Sequence, residues 1–143
     1  MSATLDGVPD DRKIEMPVAE DMQLGVSIGL ALAGLVPVSI FPRWNFLLLA
    51  TNQIVNHLDK LPLMSGYRPR VLIRVGVGSE RPLNPGLQHI GNFAGAFRRM
   101  CLTVDIVDLD DAAAIKPAYE RALTRVDGHS TMLVEHGDYY LEK

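Results

Sequence analysis

Apolar and polar positions along this chain alternate with two periods, one near 3.6 residues and one near 2. The first apolar block is VAEDMQLGVSIGLALAGLVPVSIF, Val18 to Phe41, uncharged after Glu20 and Asp21. It is long enough to suggest a membrane span. Glycines at 25, 29 and 34 and Pro37 interrupt it, so it reads as helix, turn and strand instead. The helix is predicted over Asp21–Ala33, with Gly34 just past its end, and LVPVSIF (35–41) is a buried strand. A second helix is predicted over 44–61, with Phe46, Leu49, Gln53, Val55 and Leu58 near a helical repeat. RVLIRV (70–75) is a strand and GVGSERPLNPG (76–86) a loop dense in Gly and Pro. Beyond it come a short helix at 90–100, a strand at 102–109 and a helix over 112–126 with Pro117 near its first turns. Gly128 marks a turn, and TMLVEH (131–136) is the last strand.

Four strands alternating with helices predict an α/β fold: three layers, a mostly parallel sheet with helices on both faces. Residues 1–13 read as a loose N-terminal arm and 14–143 as a single domain. In such sheets ligands sit at the carboxyl ends of the strands. The loops there are Phe41–Asn45, Gly76–His89 and Asp108–Asp111.

Composition narrows the function classes. The chain has 143 residues, 48% hydrophobic and 22% charged, which suits a globular domain with a real core. Its net charge of −3 comes from interspersed acids and bases, so no nucleic-acid partner is expected. The one cysteine, Cys101, excludes an internal disulfide framework and fits a reducing cytoplasm. There is no CxxC and no histidine cluster of ligand spacing, so no metal site is expected; His129 and His136 read as residues flanking a strand. No basic-then-apolar leader opens the sequence, and no membrane partner is expected.

Glu20 raises the sharpest chemical question. A carboxylate in the first turn of a helix complements the macrodipole, and Asp21 does the same. The helix behind it is unusual: Gly25, Gly29 and Ala33, four apart, give it a flat face that suits close approach of another helix. A carboxylate at the edge of such an interface is costly to ionise and suits proton transfer.

The pattern E-x-x-x-x-G-V-x-x-G-L, Glu20 to Leu30, resembles the pyrimidine-binding domain of thiamine-diphosphate enzymes. The likeness is to the β subunit of the 2-oxoacid dehydrogenase decarboxylase components, in the transketolase-like superfamily. Residues 34–66 look like the family's strand, aromatic-Asn-Phe turn and helix leading to Met-Ser-Gly, and LQH (87–89) falls where the family has Gln-His. The resemblance covers about 14–136.

It implies that Glu20 hydrogen-bonds the cofactor's aminopyrimidine ring and relays protons, and that Phe46 stacks on that ring. His89 would lie on the substrate side, steering a carboxylate or moving protons. Gly25 and Gly29 would pack against a partner subunit, while Trp44 and Asn45 would shape the pocket wall. Taken without the family, Phe46 reads as a core aromatic and His89 as a surface residue.

Three departures qualify this expectation. Only 19 residues precede Glu20, where related domains have a further helix and strand, so the sheet is short of a strand or is completed by a partner. SERPLNPG replaces a more glycine-rich loop, which leaves substrate choice open. Family members hold Mg²⁺ and diphosphate through a Gly-Asp-Gly motif and a later Asn, and HGDYY (136–140) leaves no room for that spacing. The sequence reads as half an active site. The expected protein is a pyrimidine-binding subunit, inactive alone, that shares thiamine diphosphate with a separate diphosphate-binding subunit carrying Mg²⁺. The chemistry would be 2-oxoacid decarboxylation or ketol transfer. A homodimer is expected in isolation. The rival readings are a degenerate scaffold or regulatory subunit, and a flavodoxin-like binding module, the last weakened by the absence of a phosphate-cradling loop.

Overall fold

The computed structural model describes residues 5–78 and 84–141. Helix α1 (Glu20–Leu32) leads into strand β1 (Val38–Phe41), helix α2 (Trp44–Leu47) and helix α3 (Leu61–Ser65). Strand β2 (Leu72–Val77), helix α4 (Ala94–Met100), strand β3 (Asp105–Leu109), helix α5 (Ala112–Thr124) and strand β4 (Thr131–His136) complete the domain. The four strands pair in the order β1-β2-β4-β3, all parallel, with Leu72 opposite both Val38 and Thr131. The expected α/β class is therefore observed.

Two cores cover the two faces of the sheet. The larger unites Leu24 and Ile28 of α1, Trp44, Leu47 and Ile54, and Ala94 and Phe97 of α4 against Phe41, Ile73, Val75, Met132 and Val134. The smaller packs Ala118 and Ala122 of α5 on Leu72, Leu109 and Leu133. A fixed crossover hand explains the split: the chain advances from β1 to β2 and on to β3, then steps back to β4, so the last crossover covers the opposite face.

Several boundaries shift from their expected places. Gly34 adopts φ 88°; its N–H bonds to Ala31 and that of Leu35 to Leu30, the paired bonds of a Schellman end. That turn consumes Leu35, so β1 is only VSIF rather than 35–41. Strand β3 starts at Asp105, not 102, because the amides of Leu102, Thr103 and Val104 all turn to the Asp59 carboxylate. Helix α4 starts at Ala94, whose N–H is taken by Asn92 Oδ1.

The largest departure is in 44–61. In place of one helix, α2 tightens into a 3-10 turn at Leu48–Ala50 and then widens into a π-helical stretch at Gln53–Leu58. The buried residues are Trp44, Leu47, Ala50, Ile54 and Leu58, spaced by three and then by four, whereas Leu49 points to solvent at 65% exposure. Pro117 lies inside α5, near its first turns as expected. Among the described residues no helix is long and apolar enough to cross a membrane.

Candidate functional site

Helix α1 runs antiparallel to the strands, so its first residue lies at the carboxyl end of the sheet. Gln23, one turn in, donates to Ser39 Oγ (3.0 Å) and to the Ile40 carbonyl (3.1 Å) near the end of β1. At the other end of α1, the Ala31 carbonyl accepts the Tyr67 hydroxyl ahead of β2. Glu20 belongs to the buried face, in series with Leu24, Ser27, Ile28 and Ala31, and is itself only 9% exposed. No hydrogen bond among the described residues reaches its carboxylate. Its place at the head of an apolar helix thus follows from the helix face it occupies.

The loop after β1 supplies the next residues. Phe46 is half-buried in α2, and its ring centroid lies 6.0 Å from that of His89, tilted by 35°. His89 Nδ1 lies 3.0 Å from Asn45 Oδ1. The structure therefore brings Phe46 and His89 together across 43 positions of sequence and gives Asn45, expected only to shape a wall, the task of orienting His89. Glu20 has no ring or hydrogen-bond contact with either, although all three lie at the carboxyl end of the sheet.

Gly78, just after β2, sets how close these loops come. A Cβ there would stand 2.2 Å from the His89 carbonyl oxygen and 2.5 Å from Arg43 Nη1. The segment carrying His89 is anchored at its far end by Asn92, whose Nδ2 donates to Asp108 Oδ2 (3.1 Å); Asp108 Oδ1 in turn pairs with His136 Nε2 (2.8 Å). The described part of the Gly76–His89 loop thus joins the first loop in one site. The expected loop residues 79–83 lie outside the described residues.

The glycine face behaves unevenly. Gly25 is half-buried and faces Gln53, whose Nε2 would lie 3.7 Å from an added Cβ and donates to Asp21 Oδ2 at 3.2 Å. Gly29 is exposed, with open space where a Cβ would go. Met22, Val26, Gly29 and Leu32 form an exposed stripe, beside a groove of about 340 Å³ lined by Gly25, Ile28, Leu32, Gln53, Leu61 and Met64.

Two other groups can be assigned structural tasks. The Cys101 thiol is buried and pushed up to about 11 by burial and the nearby Asp59 charge, which leaves it unreactive at neutral pH. Asp59 is wholly buried; burial pushes its carboxyl up, but the Lys60 bond (2.6 Å) and the amides of Leu102, Thr103 and Val104 outweigh that and hold it below the usual range. No sequence motif signalled it. Among the described residues no three His, Cys, Asp or Glu side chains converge as metal ligands would.

Comparison with known proteins gives the site its context. A pyruvate dehydrogenase E1 component subunit beta from Gracilaria tenuistipitata var. liui is 38% identical over 82 residues, 56% of this chain and 25% of that protein. Over about half its length this chain is similar to pyruvate dehydrogenase E1 β subunits. The corresponding subunit from Cyanidium caldarium is 42% identical over 75 residues, 50% of this chain and 23% of its own length. The human mitochondrial subunit is 39% identical over 57 residues, 40% of this chain and 16% of its own. The chain thus aligns with a quarter or less of these relatives. No protein-family model matches it. The expected resemblance to 2-oxoacid dehydrogenase β subunits thus holds over about half the chain, and the all-parallel α/β sheet is consistent with it.

Proposed function

We propose that this chain is the pyrimidine-binding subunit of a split thiamine-diphosphate enzyme acting on 2-oxoacids, by decarboxylation or ketol transfer. Its partner is a separate subunit that holds the diphosphate and Mg²⁺. The observation that carries this reading is Glu20: a carboxylate on a largely buried residue, with no hydrogen-bond donor of its own among the described residues, at the carboxyl end of a parallel sheet in a chain similar to E1 β subunits. A carboxylate without a donor of its own is open to a hydrogen bond from a ligand.

Glu20 fits a ring nitrogen of the aminopyrimidine, and Phe46 offers a half-buried aromatic face on which that ring would stack. When bound, thiamine diphosphate supplies the carbon nucleophile that adds to the substrate carbonyl. Glu20 holds and moves a proton at the ring nitrogen. His89, its ring set by Asn45, orients the substrate carboxylate or passes a proton on the substrate side. The exposed stripe of α1, with Gly25 and Gly29, is the surface that meets the partner subunit and excludes water from Glu20.

Glu20→Gln tests this in the assembled enzyme. The amide keeps the shape but cannot move the proton, so exchange of the thiazolium proton for deuterium should slow by ~10²-fold or more while assembly is retained. Equal exchange rates would remove Glu20 from the mechanism and leave the scaffold reading in its place.

A further inference from the structure

Arg43 carries chemistry that the proposed reaction has not used. It sits in the loop after β1, immediately before α2, at the same end of the sheet as Phe46 and His89. Its Nη1 is buried and has no hydrogen-bond partner among the described residues. Two other arginines differ: Arg74 pairs with Glu135 at 2.6 Å, and Arg125 pairs with both Asp105 and Asp127 at 2.6 Å. Arg43 forms no ion pair among the described residues.

Its placement is constrained. Arg43 Nη1 and the His89 carbonyl both crowd the point where a Cβ on Gly78 would stand, and Asn45, two residues on, holds the His89 ring. Arg43 Nη1 and the His89 backbone therefore pack against the same glycine, while Asn45 holds the His89 ring. A guanidinium nitrogen buried without an acceptor is costly, and a shift that brings it to an anion relieves that cost. The planar fork of a guanidinium matches the oxygens of a carboxylate or phosphate.

We propose that Arg43 is a specificity-determining residue that binds an oxyanion of the substrate, carboxylate or phosphate, beside His89. The enzyme then prefers substrates with an anionic group within reach of the reacting carbonyl over neutral ketones and aldehydes. This rests on the thiamine-enzyme reading for the identity of the reaction, but not for the binding itself.

The binding can be measured on the full chain without cofactor. Oxalate and inorganic phosphate are titrated separately while the Arg43 Nε–H and His89 ring resonances are followed by NMR. At least one anion should give saturable shifts at both residues, and which one does so tells carboxylate from phosphate. Arg43→Gln should weaken that binding about tenfold or more at an unchanged melting temperature. Arg43→Lys should fall between, since it keeps the charge and loses the fork. In the assembled enzyme Arg43→Gln should raise KM for an anionic substrate and leave thiazolium exchange intact. No saturable shift with either anion, or equal binding by Arg43→Gln, overturns the proposal. Saturable binding in a chain whose wild-type complex shows no thiazolium exchange would sink the reaction reading and leave Arg43 as an oxyanion site.

Discussion

Glu20 heads α1 behind Ala19, a residue with no side-chain oxygen to cap the helix. The first-turn N–H groups are therefore complemented by the acidic residues Glu20 and Asp21 at the start of the helix itself. His89 stands differently, half-exposed and held through Nδ1 by Asn45. If it serves the substrate side, His89→Ala should spare thiazolium exchange and lower substrate turnover; loss of exchange with unchanged substrate handling would show that the loop is misassigned. Asp59 is the structural counterpart. Asp59→Ala leaves three amides without an acceptor and should cost about 3 kcal/mol of stability, read from urea unfolding. Its carboxyl is depressed in the folded chain, so its charged-state stabilisation is full above the unfolded value near 4 and falls as pH drops through the folded value. The stability gap between wild type and Asp59→Asn should accordingly narrow on acidification below about pH 4. A gap that widens would mean the carboxylate is not the favoured form.

At the scale of elements, what was legible in the sequence was what neighbours along the chain decide. Gly34 ends α1 because the chain there needs φ 88°, a conformation open to glycine, and the four strands were visible as β-rich runs between helices. The 44–61 segment was not legible. LLLA offers apolar residues at consecutive positions, so no single period stands out, and the pairing with the sheet selects Leu47 over Leu49. The 3-10 and π turns are the adjustment that brings Trp44, Ala50, Ile54 and Leu58 onto that same face. The contact of Asn45 with His89, and Arg43 altogether, escaped notice for a related reason: their neighbours, His89 and Gly78, are far away in sequence. Gly78 makes the closeness of those loops testable. In Gly78→Ala the new methyl meets a backbone oxygen that cannot rotate away, so the His89 segment must move. Overpacking of this kind should cost about 1–3 kcal/mol and weaken oxyanion binding as well. Unchanged His89 resonances in that variant would show that the two loops separate easily.

For the whole molecule, the question is whether this chain completes a site by itself. Its proposed contacts to thiamine diphosphate are one carboxylate and one aromatic ring, which give little to offset the ordering of a flexible, highly charged ligand. Calorimetry of the chain alone with thiamine diphosphate and Mg²⁺ should therefore show weak binding or none. The exposed stripe Met22, Val26, Gly29 and Leu32 gives the chain a second need for a partner, because an apolar helix face of this kind favours being covered. In isolation we expect a homodimer through that face, in place of the contact with the diphosphate-binding subunit. Gly29→Leu separates assembly from folding. Nothing lies within 4 Å of the position, and leucine favours a helix over glycine by roughly 0.8 kcal/mol, so the variant should melt no lower than wild type. Its bulk would nevertheless hold a partner helix away, so light scattering should show a monomer where wild type is a dimer, and the variant should fail to join the partner subunit. A strictly monomeric wild type would discard the homodimer, and a Gly29→Leu chain that still joins its partner would move the subunit interface off this face. Tight binding of thiamine diphosphate by the chain alone would instead end the half-site reading, since the diphosphate would then have found its ligands here.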